Sequence, residues 1–215
     1  SAASEAIDNI LQTARLKEAG MVGKILVTGC LSQRYQEEIL KEMPEVDGVL
    51  GTGSYTEIVP AIEKLLDNEQ VIDFGDIDAP EVETGRILTP PEHYAYLKIA
   101  EGCSNGCSFC IIPKLRGKYR SRTFESLLEE AKGLADGGVK ELILVAQDVT
   151  AYGTDFGKDP RFLLEKLLQL DGLERLRLLY LYPGGLSNDL LKFLSEAGKP
   201  FGPYFDLPLQ PAHPD

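Results

Sequence analysis

The sequence predicts an α/β chain made of two successive series of helices and strands. Three observations carry that expectation. Segments with apolar residues at helical spacing alternate with short, continuously apolar runs; the runs end in glycine or in polar and cysteine residues; and a stretch rich in Asp, Glu, Gly and Pro separates the two series. The boundaries expected from composition are 1–72 for the first series, 73–93 for the connecting stretch and 94–215 for the second.

In the first series, Ile7, Ile10, Leu11, Ala14 and Ala19 recur close to every third or fourth position, which predicts a helix over 7–19 with Gly20 as its stop. The run 24–29 reads as a short buried strand with Cys30 at its carboxyl end. A second helix is expected over 33–41, a second strand over 46–50 and a third helix over 55–66. Such alternation implies a parallel sheet with chemistry at the strand ends. The second series offers strands over 94–100, 141–145, 175–181 and 204–207, and helices over 124–135, 162–170 and 188–197. Four βα-type units in tandem predict part of a barrel whose working face is the rim at the strand carboxyl ends, and Cys103 falls just past one of those ends.

Composition narrows the function classes. At 215 residues, 43% hydrophobic and 26% charged, the chain has material for one substantial core or two modest ones, which excludes overall disorder. No apolar run is long enough to span a bilayer, and the opening SAASEAIDNI is polar and acidic where a signal peptide is basic and then apolar. A cytoplasmic protein with no membrane partner is the expectation. A formal net charge of -12 argues against a protein that wraps a nucleic-acid backbone, and leaves nucleic acid at most a secondary contact.

Three of the four cysteines, Cys103, Cys107 and Cys110, stand in GCSNGCSFC, too close together for unstrained disulfides, and that crowding points to metal. A structural zinc wants four ligands in a closed tetrahedron, so this loop would need a fourth from elsewhere. A four-iron four-sulfur cluster held by three thiolates instead leaves one iron open to an outside ligand. Ser104, Asn105, Gly106 and Ser108 are small enough for the backbone to wrap closely around either centre. The zinc reading describes a binding module without enzymatic activity and predicts a colourless protein.

The run YLKIAEGCSNGCSFCIIPKLRGKYRSR resembles the radical S-adenosylmethionine (AdoMet) domain of the methylthiotransferases, and VTGCLSQR resembles the end of that family's N-terminal methylthiotransferase domain. The likeness covers essentially the whole chain. Within it, IIPKLRGKYRSR and AQDVTAYGTD are closer to the branch that modifies an aspartate of a small-subunit ribosomal protein than to the branch that modifies a tRNA adenosine. The resemblance implies an enzyme with a partial radical AdoMet barrel after an α/β methylthiotransferase domain. It implies that Cys103, Cys107 and Cys110 hold a 4Fe-4S cluster that reduces AdoMet to a 5'-deoxyadenosyl radical, fed by an electron donor such as flavodoxin or ferredoxin. Phe109 would shield that cluster near the adenine. Cys30 matches the third cysteine of the N-terminal domain, which in the family joins two earlier ones around a second 4Fe-4S cluster.

Those two earlier cysteines are absent from the sequence, and SAASEAIDNI resembles the stretch that follows them, so the chain is expected to start inside the family's N-terminal domain. The family's six barrel strands and its small C-terminal RNA-binding-type domain are also not all represented. The complete methylthio transfer is accordingly expected to exceed what this chain does alone. Where the family continues PLQ with His, this sequence has Pro211, with His213 two places later, so no role carries over to His213.

Other candidates come from position. Lys114, Arg116, Lys118, Arg120 and Arg122 recur at every second residue and would share one face of an extended segment. Arg120 and Arg122 lie in the RSR shared with the family and are the candidates to meet AdoMet. Gln147 and Asp148 follow the strand expected at 141–145 and could reach AdoMet or substrate from the rim, with helix capping as the competing role for Asp148. Gly184 and Gly185 read as a loop, and His93 as a surface residue. No residue stands out as a catalytic acid, base or radical relay.

Overall fold

A computed structural model describes residues 2–80, 86–89 and 92–209. Contacts divide these into two compact units, one holding Ser1–Pro80 with Cys107–Gly117 and the other Glu81–Gly106 with Lys118–Asp215.

The first unit is a three-stranded parallel sheet in sequential order, β1 (Leu26–Thr28), β2 (Gly48–Gly53) and β3 (Val71–Gly75), with α1 (Ala2–Glu18), α2 (Cys30–Tyr35), α3 (Glu38–Glu42) and α4 (Ile58–Leu66) around it. The central strand is buried on both faces. Successive side chains of a strand point to opposite sides, and here Val49 joins Ile10, Ala14 and Ile39 from α1 and α3 while Leu50 joins Ala61 and Leu65 from α4. A short fifth helix, α5 (Ile112–Arg116), belongs to the same unit, its buried Leu115 carrying a carbonyl that accepts the Thr52 hydroxyl proton.

Asp47 ties α1 to this sheet. Its Oδ2 accepts both the Lys17 ammonium and the Ile25 backbone N–H, the latter at 2.8 Å, and Lys24 stands 3.5 Å from its Oδ1. Burial works against its charge, but the Lys17 and Ile25 hydrogen bonds and the two lysine charges outweigh it and hold the carboxyl below its ordinary value of 3.8. The native state therefore binds this proton less readily than the unfolded chain, so the stability it contributes is present above pH 3.8 and is lost as pH falls through the depressed native value. Asp47→Ala is expected to destabilise the first unit by about 1.5–3 kcal/mol at pH 7. In urea melts, the gap between variant and parent should narrow as the pH is lowered below 3.8; a pH-independent gap would remove the carboxylate from the account.

The second unit holds a four-stranded all-parallel sheet, β4 (Tyr94–Lys98), β7 (Glu141–Val145), β8 (Arg175–Leu178) and β9 (Phe201–Phe205), joined by α6 (Phe124–Asp136), α7 (Arg161–Leu167) and α8 (Asn188–Glu196). The ribbon β5 (Ala100–Glu101) with β6 (Arg120–Ser121) pairs antiparallel beside it. Registers Leu97↔Leu144 and Leu144↔Leu178 line up one row of buried leucines. Leu127 of α6, Leu163, Leu164 and Leu167 of α7 and Leu190 and Leu194 of α8 close over that row. Each such side chain contributes about 1.5–3 kcal/mol on burial. The opposite face of the same strands carries Tyr96, half exposed, and the ion pair of Arg177 with Glu141.

Several elements differ from the sequence reading. The helix expected over 33–41 is two helices, broken where Gln36 takes a left-handed φ of 48°. β3 enters the stretch that composition marks as irregular; residues 81–85, 90 and 91 of that stretch lie outside the described residues, as does His213. The last strand is Phe201–Phe205, three residues earlier than expected at its start. The extended basic face is corrected: Lys114 and Arg116 stand on α5, which Pro113 opens and Gly117, at φ 75°, ends, so only the later charges lie on extended chain.

Candidate functional site

The four strands of the second unit's larger sheet all run the same way, so the loops after them gather at one edge. A cavity of about 580 Å³ opens there. Its wall includes Cys103 and Asn105 from the loop after β5, Asp148 and Thr150 from the turn after β7, and Tyr182 and Gly185 from the turn after β8. Asp155 and Asp159 add two further carboxylates, and no lysine, arginine or histidine is among the lining residues.

Asp148 is the best-buried charged group of this wall, at 2% exposure. Its Oδ1 accepts the Thr150 N–H at 2.9 Å and the Thr150 hydroxyl, which caps the 3-10 turn Val149–Ala151; its Oδ2 accepts Asn105 Nδ2 at 2.8 Å. The capping role is thus present, and the second oxygen is bonded within the protein to Asn105. Tyr119 adds two bonds: its hydroxyl donates to the Asp148 carbonyl at 2.9 Å, and its N–H donates to Ser104 Oγ at 3.0 Å. Burial, followed by the charges of Asp148 and Asp155, pushes the Tyr119 phenol far above its ordinary value of 10, so it is a permanent donor. Gly185 has no room for a side chain, because a Cβ would lie 1.9 Å from Thr150 Oγ1.

The residues singled out in the sequence fall into different places. Gln147 is exposed and does not line the cavity. Arg122 is committed inside the unit: its guanidinium donates to Glu130 at 2.6 Å, to Ser126 at 2.8 Å and to the Lys98 carbonyl at 3.0 Å. Arg120 donates to the Lys118 carbonyl at 2.6 Å. Phe109 is 70% exposed. Lys140, Arg175 and Lys199 gather with His93 at the opposite, amino-terminal edge of the sheet.

Cys103 belongs to the second unit, Cys107 and Cys110 to the first. No disulfide engages any of the four cysteines, and among the described residues no three His, Cys, Asp or Glu side chains are gathered as a metal-holding group. The donor chemistry nevertheless fits an iron–sulfur cluster. Three thiols stand within eight residues of chain, thiolate is the ligand such clusters take, and Cys110 Sγ already accepts the Ile112 N–H at 3.4 Å, the kind of bond that steadies charge on sulfur. Cys30 is apart from this loop's sulfurs in its bonding: it opens α2 and accepts Arg116 Nε at 3.3 Å.

Asn105, Tyr119 and Thr150 were not legible as site residues. The one available signal was Tyr119, an aromatic at odd parity within the basic run 118–122, which marks an inward position between outward charges.

Comparison with known proteins turns on residues 97–215, which match the radical SAM superfamily. The chain belongs to that superfamily. Residues 1–51 match the uncharacterized protein family UPF0004. The chain is 46% identical over 215 residues to ribosomal protein uS12 methylthiotransferase RimO of Clostridioides difficile, covering 99% of this chain and 48% of that protein. It is 48% identical over 218 residues to the protein of the same name in Lachnoclostridium phytofermentans, covering all of this chain and 49% of that one. The methylthiotransferase resemblance read from the motifs is borne out, and the chain spans about half the length of the curated relatives it matches. Among solved structures, the radical S-adenosylmethionine methyltransferase TsrM of Kitasatospora setae, with tryptophan substrate and a SAM analogue bound, aligns with a TM-score of 0.61 over 91% of this radical SAM chain and 43% of TsrM. At 13% identity that likeness is one of fold.

Proposed function

We propose that this chain carries the radical AdoMet centre of a methylthiotransferase that places a methylthio group on an aspartate side chain of ribosomal protein uS12. Cys103, Cys107 and Cys110 would hold a 4Fe-4S cluster, and that cluster, when bound, would supply an AdoMet site and the one-electron reducing chemistry of the family. Cys30 would be a ligand of a second cluster only together with further thiols, which this sequence does not supply near it. The electron comes from a small carrier such as flavodoxin or ferredoxin, and the reaction takes place in the cytoplasm, a placement supported by the ribosomal-protein substrate named for the relatives.

The observation that carries this reading is the cavity at the strand carboxyl ends, where Cys103 stands beside three carboxylates and no cationic side chain. AdoMet brings a sulfonium and an ammonium group, and the negative charge of this wall favours both, with exposed Asp155 the carboxylate most open to them, since Asp159 is paired with Arg161 and both Asp148 oxygens are engaged within the protein. Hydroxyls of Thr150, Thr154 and Ser187 supply partners for a ribose. Phe109, Arg120 and Gln147 do not line the cavity and are put forward as AdoMet contacts on their place in the sequence alone, while Arg122 and Asp148 are engaged within their own unit. The assignment to uS12 is supported by 46–48% identity over nearly the whole chain to methylthiotransferases of that name.

Expression of a full-length methylthiotransferase that carries this sequence, in cells lacking their own uS12 and tRNA methylthiotransferases, tests the assignment, because the chain spans about half the length of its relatives. Mass spectrometry of ribosomal proteins and of tRNA nucleosides should show a methylthio gain on uS12 alone. A gain confined to tRNA would overturn the substrate and leave the radical chemistry standing.

A further inference from the structure

The turn after β7 and the cysteine loop are 43 residues apart in sequence and are joined by one charged hydrogen bond, Asn105 Nδ2 to Asp148 Oδ2 at 2.8 Å. Both oxygens of Asp148 are engaged within the protein, Oδ1 by Thr150 and Oδ2 by Asn105, and the group is 2% exposed. A carboxylate so occupied has little left to offer a ligand. A second link runs parallel to the first: Tyr119, a permanent donor, bonds the Asp148 carbonyl through its hydroxyl and Ser104 through its N–H. Ser104 and Asn105 directly follow Cys103 and are themselves exposed, so nothing in their own packing fixes the loop.

We propose that Asp148 is a positioning residue: its carboxylate latches the cysteine loop to the sheet rim through Asn105, and thereby fixes where the Cys103 thiolate stands on the cavity wall. This rests on the reading of that loop as the cluster loop. The latch has a required polarity. A carboxylate only accepts, so the Asn105 amide must turn its NH₂ inward, and the charge-assisted bond is stronger than a neutral one. Replacing Asn105 by Asp sets two carboxylates face to face. Exchanging the two residues, N105D with D148N, restores a donor and an acceptor with the direction reversed: the new amide at 148 donates to the new carboxylate at 105, and its oxygen still accepts from Thr150.

The experiment measures amide hydrogen exchange of the loop around Gly106 in the 215-residue chain before iron loading, together with the electron paramagnetic resonance of the reduced cluster, with and without AdoMet, after reconstitution. Loss of the latch in N105A should speed loop exchange about tenfold, as for one charge-assisted bond. N105D should speed it further, and the N105D/D148N pair should return it to within about threefold of the parent. The AdoMet-induced change in the resonance should be broadened or lost in N105D and recovered in the pair. Circular dichroism establishes that each variant is folded. A direct bond from Asp148 to AdoMet predicts the reverse pattern, with N105A like the parent and the pair unrescued, and that result would overturn the proposal. Should the parent chain bind no iron, the cluster reading fails, and the exchange data on the iron-free chain still decide whether the latch exists.

Discussion

Serine in place of Cys103, Cys107 or Cys110 is expected to lower bound iron from about four per chain to near none after anaerobic reconstitution. Cys30→Ser should leave the iron content unchanged. Each of the three loop thiolates would hold one iron, and a serine hydroxyl is a hard donor that stays protonated near neutral pH, a poor exchange for a soft thiolate. Cys30 lies on α2 and is bonded to Arg116, and a lone thiol cannot hold a cluster. Iron and sulfide analysis with visible absorption checks the outcome. Stoichiometric zinc in anaerobically purified protein, with no visible absorption, would restore the binding-module reading of the loop.

How far the sequence revealed the molecule depended on whether the signal was local. The strand at 141–145 and the helix beginning at Phe124 are where the apolar pattern puts them, because a continuous run ELILV between turn residues and a strong 3.6-residue periodicity leave little else to form. The basic run 114–122 misled, because alternating charge was read as extended chain while Pro113 at the start and Gly117 at the end shape a single helical turn of five residues. The break at Gln36 has no sequence signal, since glutamine rarely takes positive φ. At the site, the cysteine spacing is a short-range pattern and could be read directly. The bonds that organise the wall join Asn105 to Asp148 and Tyr119 to Asp148 across 43 and 29 residues, and no periodicity encodes such pairs. The place of Asp148 after a strand is a sequence property, but its partners Asn105 and Thr150 are set by the fold.

Gly185→Ala is the other substitution with a large expected effect. The added carbon would stand 1.9 Å from Thr150 Oγ1 and 2.6 Å from Thr150 Cβ. Rotating the threonine moves the hydroxyl, but Cβ is fixed to the backbone, so the turn after β7 or the turn after β8 must shift. Thr150 is 5% exposed and holds Asp148 through both its N–H and its hydroxyl, which leaves no loose neighbour to absorb the strain. Overpacking of this kind costs about 1–3 kcal/mol, and it acts on the residue that shapes the cavity. Urea denaturation should show a loss of that size, and the reconstituted variant should bind AdoMet about tenfold more weakly or worse, as expected when 1.4 kcal/mol or more is lost. Gly184→Ala is the internal comparison: its added carbon meets first the edge of the Tyr182 ring at 2.8 Å, the far end of a side chain that can swing aside. It should cost under about 1 kcal/mol, because the ring can relax where Thr150 Cβ cannot. Equal effects at the two positions, or a Gly185→Ala protein as stable as the parent, would show that the wall yields at Thr150, and the packing account of this glycine would be wrong.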